Sequence, residues 1–261
     1  MKFSIITPSY NQAPFLDECL HSVKEQNYPD LEHIVIDGTS IDGSVELLRK
    51  RGAQSGWAHL VWISEKDRGQ TDALNKGFRR STGDILAYLC ADDLYEPTIF
   101  SFVRDYFTQY PNVEMIYGGC TFLEENGKPL RTKKAVPFSR EELLRRNIIW
   151  QPTVFFRRSV WEKVGEFNES LQYAMDYEYW LRAARVCNIA AVDRKLARYR
   201  WQMESKTISR EREQLSEGYR VATQFGGGGI YSWYLFKIYY PNTSRMKRWL
   251  FAHASDTNVF K

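Results

Sequence analysis

No window of this chain holds the ~18 or more uncharged apolar residues that a bilayer-spanning helix needs. A transmembrane bundle is excluded, and 26% of the 261 residues are charged. With 43% apolar residues the chain also has too much to bury for a disordered polymer. Cysteine is sparse. Cys19, Cys90, Cys120 and Cys187 are so spread that no CxxC metal or redox pair exists. All four are expected as reduced core thiols. The few histidines show no HExxH or HxH spacing, so a His/Cys zinc site is not expected. Neither GxGxxG nor GxxxxGKS/T occurs, which argues against a dinucleotide or P-loop fold. Residues 1–8 carry too short an apolar stretch for a signal peptide, and a cytoplasmic protein is expected.

A surplus of one charge sign is missing from most of the chain. The 36 basic and 32 acidic side chains leave a net charge of +4. Residues 230–261 hold Lys237, Arg245, Lys247, Arg248 and Lys261 against Asp256 alone, so residues 1–229 are neutral overall. A basic nucleic-acid-binding body is therefore excluded. The same segment concentrates aromatics: Tyr231, Trp233, Tyr234, Phe236, Tyr239, Tyr240, Trp249, Phe251 and Phe260. Aromatics interleaved with cations suit peripheral contact with an anionic inner membrane face. Packing on the chain's own core and a dimer contact are the alternatives. Gly226–Gly229 reads as a hinge, setting 226–261 apart from a domain at 1–225.

What is present is alternation. Strands are expected at Lys2–Thr7, His33–Ile36, Leu60–Ile63 and Ile85–Leu89. Helices fall between them at 14–26, Ser44–Lys50 and Thr71–Arg80. Such alternation implies an α/β fold with a mostly parallel sheet covered on both faces. Ligands then bind beyond the strand carboxyl ends, at loops 7–12, 37–43, 64–72 and 90–97. Further along, a helix is expected at Thr98–Tyr110 and strands at Met115–Tyr117, Cys120–Glu124 and Leu130–Val136. Glu125-Asn126-Gly127 is a hairpin signal between the last two. Ser139 can cap a helix Ser139–Arg145 with Glu142. A strand at Thr153–Phe156 and helices at Asp176–Cys187 and Ser205–Phe225 complete the reading.

Three acidic features fall at strand ends. Asp37 closes the second strand, Glu65 and Asp67 follow the third, and Asp92-Asp93 follows the fourth. Carboxylates crowded on one sheet edge repel unless something compensates. A divalent cation is the usual remedy, and hard oxygen ligands select Mg²⁺ or Mn²⁺, which bridge phosphate oxygens. The first loop, Thr7-Pro8-Ser9-Tyr10-Asn11, offers hydroxyls, an amide and a ring that could hold a base and ribose.

The chain resembles a family-2 glycosyltransferase of the GT-A nucleotide-sugar fold. Four segments of the first half carry the likeness: Ile5–Asn11, Val35–Gly43, Ser64–Gly69 and Asp72–Gly77. Ala91-Asp92-Asp93, Gln151–Arg157 and Ala174–Arg182 continue it in order. The resemblance implies an inverting, metal-dependent transferase with residues 1–97 as nucleotide-sugar half and 98–225 as acceptor half. It implies that Thr7, Pro8, Tyr10, Asn11 and Asp37 frame the base, with Asp67 and Arg68 near base or ribose. Asp93 would bind Mn²⁺ or Mg²⁺, and Asp92 would meet ribose or metal, in an xDD rather than a DxD form. Asp176 would be the general base, with Glu178 as a nearby substitute. Trp180 reads as core. Gln151, held extended by Pro152, would present its amide to a sugar. Gln202 stands where similar sequences often carry His, and Arg200, Ser205 and Lys206 could contact the diphosphate. The implied partners are a UDP- or GDP-sugar donor and a saccharide or lipid-linked saccharide acceptor, in polysaccharide, glycolipid or glycan synthesis. Two rivals remain. A sugar-phosphate nucleotidyltransferase would want a Gly-rich basic loop after the first strand. A non-catalytic nucleotide-sugar-binding protein would not need Asp176.

Overall fold

The computed structural model describes residues 1–202 and 210–227. The aromatic and basic segment from 228 onward, and the expected contacts Ser205 and Lys206, lie outside the described residues. Three β-α units come first: β1 (Phe3–Ser9), α1 (Ala13–Lys24), β2 (Leu31–Asp37), α2 (Ser44–Gly52), β3 (Leu60–Ser64) and α3 (Gln70–Arg80). There follow β4 (Ile85–Tyr88), a short β5 (Leu94–Tyr95), α4 (Ile99–Gln109) and a hairpin of β6 (Met115–Glu124) with β7 (Pro129–Lys133). The remainder is α5 (Arg140–Arg145), β8 (Phe155–Arg157), α6 (Arg158–Val164), α7 (Met175–Val186), β9 (Ile189–Trp201) and α8 (Glu211–Gln224). No helix among the described residues is long and apolar enough to cross a membrane.

One sheet runs in the order β3-β2-β1-β4-β8-β6-β9-β5, with β7 beside β6. Its first four strands are parallel. The second half is mixed, since β8 runs antiparallel to both β4 and β6 while β6 and β9 are parallel. Period-2 alternation splits the core. Ile6, Leu86 and Tyr88 join α3 and α7 on one face, while Phe3, Ile5, Ile85 and Ala87 join α1 and α4 on the other. Both faces are covered, as a parallel sheet requires. The chain leaves β1 toward β2 on one side and reaches β4 on the other. That reversal opens a crevice at the strand carboxyl ends.

Several local expectations need correction. Met115–Tyr117 and Cys120–Glu124 are one strand, β6, with register irregularities around Gly118 and Gly119. A Cβ on Gly118 would lie 2.5 Å from the Arg194 carbonyl oxygen, so glycine there serves close backbone approach within a strand. Gln151 is not extended; it opens a single 3₁₀ turn at Gln151–Thr153. The long β9 escapes the sequence pattern, because Asp193, Arg194, Lys195, Arg198 and Arg200 interrupt its apolar positions. The Ser139 cap forms as read, its hydroxyl accepting from the Glu142 N–H at 3.2 Å.

Candidate active site

The ends of β1, β2 and β3 form the first wall. Asp37 is fully buried and already committed to its own loop. It accepts from the Ser40 hydroxyl and N–H and, at 2.7 Å, from the Ser64 hydroxyl. Asn11 staples the same loop: its N–H donates to Ser40 Oγ at 2.8 Å and its Oδ1 accepts from the Ile41 N–H at 3.0 Å. Thr7 faces inward, its hydroxyl 2.8 Å from His33 Nε2. Pro8 is buried in β1, and Tyr10 is 61% exposed above it. Asp67 and Tyr10 converge over Gly38, where a Cβ would lie 2.6 Å from Asp67 Oδ2 and 3.3 Å from Tyr10 Cδ2. The absent side chain at 38 therefore lets the Asp67 carboxylate and the Tyr10 ring close onto the backbone there. Arg68 turns outward and pairs with Asp72 at 3.1 Å and Glu169 at 2.6 Å.

The turn after β4 forms the floor. Asp93 is 2% exposed. Its Oδ1 accepts from the Arg200 N–H at 2.9 Å. Burial, and then the neighbouring Asp92 charge, push the Asp93 carboxyl well above its usual range. Asp92 is half-buried and also pushed up by burial, against a hydrogen bond donated by Gln202 Nε2. Gln202 thus acts on the carboxylate pair directly. The Arg200 guanidinium, expected as a diphosphate contact, is instead turned into the protein. It is 1% exposed, donates to the carbonyl oxygens of Asp92 and Glu125, and pairs with Glu18 of α1. It stitches the turn, the β6–β7 hairpin and α1 together.

Cys90 is part of this floor rather than a plain core thiol. Its sulfur and the carboxylate oxygens of Asp92 and Asp93 lie within 4.8 Å of one another, the one such group among the described residues. It accepts from Gln70 Nε2 at 3.2 Å. Gln151 reaches the same place, donating to the Tyr88 carbonyl at 2.8 Å with its Oε1 3.7 Å from the Cys90 sulfur. A buried and a half-buried carboxylate side by side, with the nearby Arg200 guanidinium already spent on Glu18 and two carbonyl oxygens, are under-compensated. The donor set therefore fits a divalent cation.

Asp176 forms the far wall. It stands in the first turn of α7, half-buried, with Oδ1 accepting from the Tyr177 N–H at 2.7 Å. Burial raises its carboxyl to about 6, against that N–H and with a smaller contribution from the Glu217 charge. Its charge bears on Tyr88 and Cys90, which lead into the Asp92-Asp93 turn, so it lies on the same side of the sheet end as that turn. Glu178 is not a substitute base, because it is bound to Arg182 at 2.8 Å. Trp180 is fully buried core, as expected.

The model of glycosyl transferase family 2 matches residues 4–164. The chain belongs to that family. This family-2 glycosyltransferase is 30% identical over 222 residues to an uncharacterized glycosyltransferase of Rickettsia conorii, covering 81% of the chain but 36% of that protein. The chain thus spans little more than a third of that relative's length. It is also 30% identical over 181 residues to a PGL/p-HBAD biosynthesis glycosyltransferase of Mycobacterium tuberculosis, covering 69% of the chain and 68% of that protein. Among solved structures it is similar to the mannosyltransferase PcManGT of Pyrobaculum calidifontis in complex with GDP-Man and Mn²⁺. That match has a TM-score of 0.68 at 20% identity and covers 98% of this chain and 76% of that one. TarS residues 1–349 of S. aureus in complex with UDP-GlcNAc match with a TM-score of 0.66 at 18% identity, covering 86% and 66%. The glycosyltransferase has a GT-A type α/β fold.

Gln70 and Cys90 lie beside the Asp92-Asp93 turn, and Glu217 beside Asp176, without being singled out by the sequence alone. Gln70 and Cys90 sit inside matched segments or next to them, so strand-end position was the available signal. Glu217 had none, since what it binds is backbone.

Proposed function

We propose that this glycosyltransferase inverts configuration as it moves a sugar from a nucleoside-diphosphate donor to an acceptor hydroxyl. Asp176 is its general base. The observation that carries the reading is a half-buried carboxyl poised at about 6 whose charge bears on Cys90, beside the acidic Asp92-Asp93 turn. In this reading Asp176 takes the proton of the acceptor hydroxyl as that oxygen attacks the anomeric carbon. The bond from that carbon to the diphosphate breaks, and its electron pair leaves with the diphosphate. Attack from the face opposite the diphosphate inverts the carbon. Asp93 and Asp92 would hold Mg²⁺ or Mn²⁺, hard cations suited to oxygen ligands. The bound cation supplies charge stabilisation to the departing diphosphate.

Tyr10, Gly38, Asp67, Asp37, Thr7 and Pro8 frame the nucleotide in residues 1–97, with Asn11 and Arg68 fixing the loops around it. Residues 98–225 serve the acceptor side, where Gln151 lies between Tyr88 and Cys90. The UDP-GlcNAc and GDP-Man complexes of the structural neighbours favour a UDP- or GDP-sugar donor. The mycobacterial relative's PGL/p-HBAD role favours an acceptor in glycolipid or glycan synthesis.

The test is nucleotide release from UDP-GlcNAc or GDP-Man with Mn²⁺, in the parent and in Asp176→Asn. The parent rate should rise with pH through about 6, because only the ionised carboxylate accepts a proton. The variant should retain donor binding and lose ~10²–10⁴ in rate. A variant as fast as the parent would refute the base assignment.

A further inference from the structure

The start of α7 lacks a local cap. Its N-cap is Ala174, which has no side-chain acceptor, and no side-chain cap bond forms there. The N–H groups ahead of the helix are satisfied from elsewhere. Glu217, on α8, accepts from the backbone N–H of Gln172 at 3.1 Å, Tyr173 at 2.6 Å and Ala174 at 2.7 Å. Three successive N–H groups converging on one carboxylate form an anion nest, reinforced by the helix dipole. Glu217 is 6% exposed. No ion pair among the described residues involves it, and these three bonds offset the cost of its burial.

Asp176 begins two residues beyond this clamp. We propose that Glu217 is the positioning residue of the general base: by filling the donor nest ahead of α7 it fixes the turn that carries Asp176 and keeps Asp176 from turning back onto those three N–H groups. The proposal rests on the reading of Asp176 as base. Asp176 is the competitor because an acidic side chain in a first helical turn is drawn to unfilled N–H groups. With the nest filled by Glu217, the Asp176 carboxylate accepts only within its own turn, from Tyr177. The titratable groups facing Asp176 are Tyr88 and Cys90 from the β4 end and Glu217 from α8. Among these only Glu217 is a second carboxylate, and its charge adds to the proton affinity of Asp176.

The test compares Glu217→Gln and Glu217→Asp with the parent chain. The first variant would turn an amide NH₂ toward the nest of N–H groups, whereas the second keeps the charge on a shorter arm. Three readouts are taken: nucleotide release from UDP-GlcNAc or GDP-Man with Mn²⁺, donor affinity by calorimetry, and the Asp176 titration midpoint by carboxyl carbon NMR. Glu217→Gln should lower kcat roughly 10- to 100-fold while donor affinity stays unchanged. It should also lower the Asp176 midpoint, and Glu217→Asp should recover part of both. Unchanged kcat and midpoint in folded Glu217→Gln would overturn the proposal. So would equal losses of kcat and donor affinity, which mark general damage. If Glu217→Gln fails to fold, the Glu217→Asp comparison decides: an altered kcat and midpoint at parental donor affinity supports the clamp, and parental values contradict it. A parent that releases no nucleotide while its Asp176 midpoint responds to position 217 would reject the proposed function and leave the clamp standing.

Discussion

The Asp176 carboxyl is ordinary at 3.8 when free and lies at about 6 in the fold. As pH rises from below 3.8, the unfolded chain gives up this proton first. The folded chain follows only near 6, so stability contributed by the protonated form is present in acid and lost as pH climbs through that window. Replacing the group by a neutral isostere removes the cost. Asp176→Asn should stabilise the fold by about 1–2 kcal/mol at pH 7.5, a figure discounted because the group is half-buried, and by nothing at acid pH. Thermal melts at pH 7.5 and pH 3.5 check this, and equal shifts at both would contradict it. The Asp92-Asp93 pair presents the same pattern, with burial raising both carboxyls.

At the scale of elements, α3 shows how backbone choice sets the site. Gly77 lies inside this helix, where a Cβ would sit 2.5 Å from Ile6 Cγ2 of β1. The missing methyl lets α3 lie flat on the strand whose end carries Pro8 and Tyr10. Gly77→Ala gains about 1 kcal/mol of helix propensity but overpacks the contact by about 1–3 kcal/mol. The expected net result is a loss of up to about 2 kcal/mol in a urea melt. A more stable variant would show that the helix can shift freely.

What could be read at this scale follows from locality. The strands and helices up to β4 announce themselves because period-2 and period-3.6 patterns are local, and the Ser139 cap is a signal within three residues. β9 hid because its charged residues find partners far away. Arg198 pairs with Glu96, and Arg200 with Glu18. A strand that buries Arg200 looks polar until those partners are known. Gly118 and Gly119 similarly read as a break in β6, although they mark where Arg194 and Lys133 backbone come close.

At the scale of the whole molecule, a single sheet brings together residues from Asp37 to Gln202 around one crevice. The ordered segments from Ile5 to Arg182 were enough to identify the family, and the acidic strand ends indicated the edge. The partners of those acids were not legible. Gln202 on Asp92 and Arg200 on Asp93 come from the end of β9, over a hundred residues away. Glu217 binds backbone N–H groups, which leave no residue-specific trace. The sheet's reversal between β1 and β4 explains why nucleotide loops and the Asp92-Asp93 turn share a rim. In the proposed reaction the first half frames the donor and α7 supplies the base.

The most direct measurement of this arrangement is diffraction at the manganese edge from crystals of the full chain soaked with Mn²⁺ and UDP-GlcNAc or GDP-Man. The expected result is one anomalous peak between the Asp93 carboxylate and the donor diphosphate, with the anomeric carbon facing Asp176. Donor bound with the peak elsewhere, or with its sugar turned away from Asp176, would contradict it.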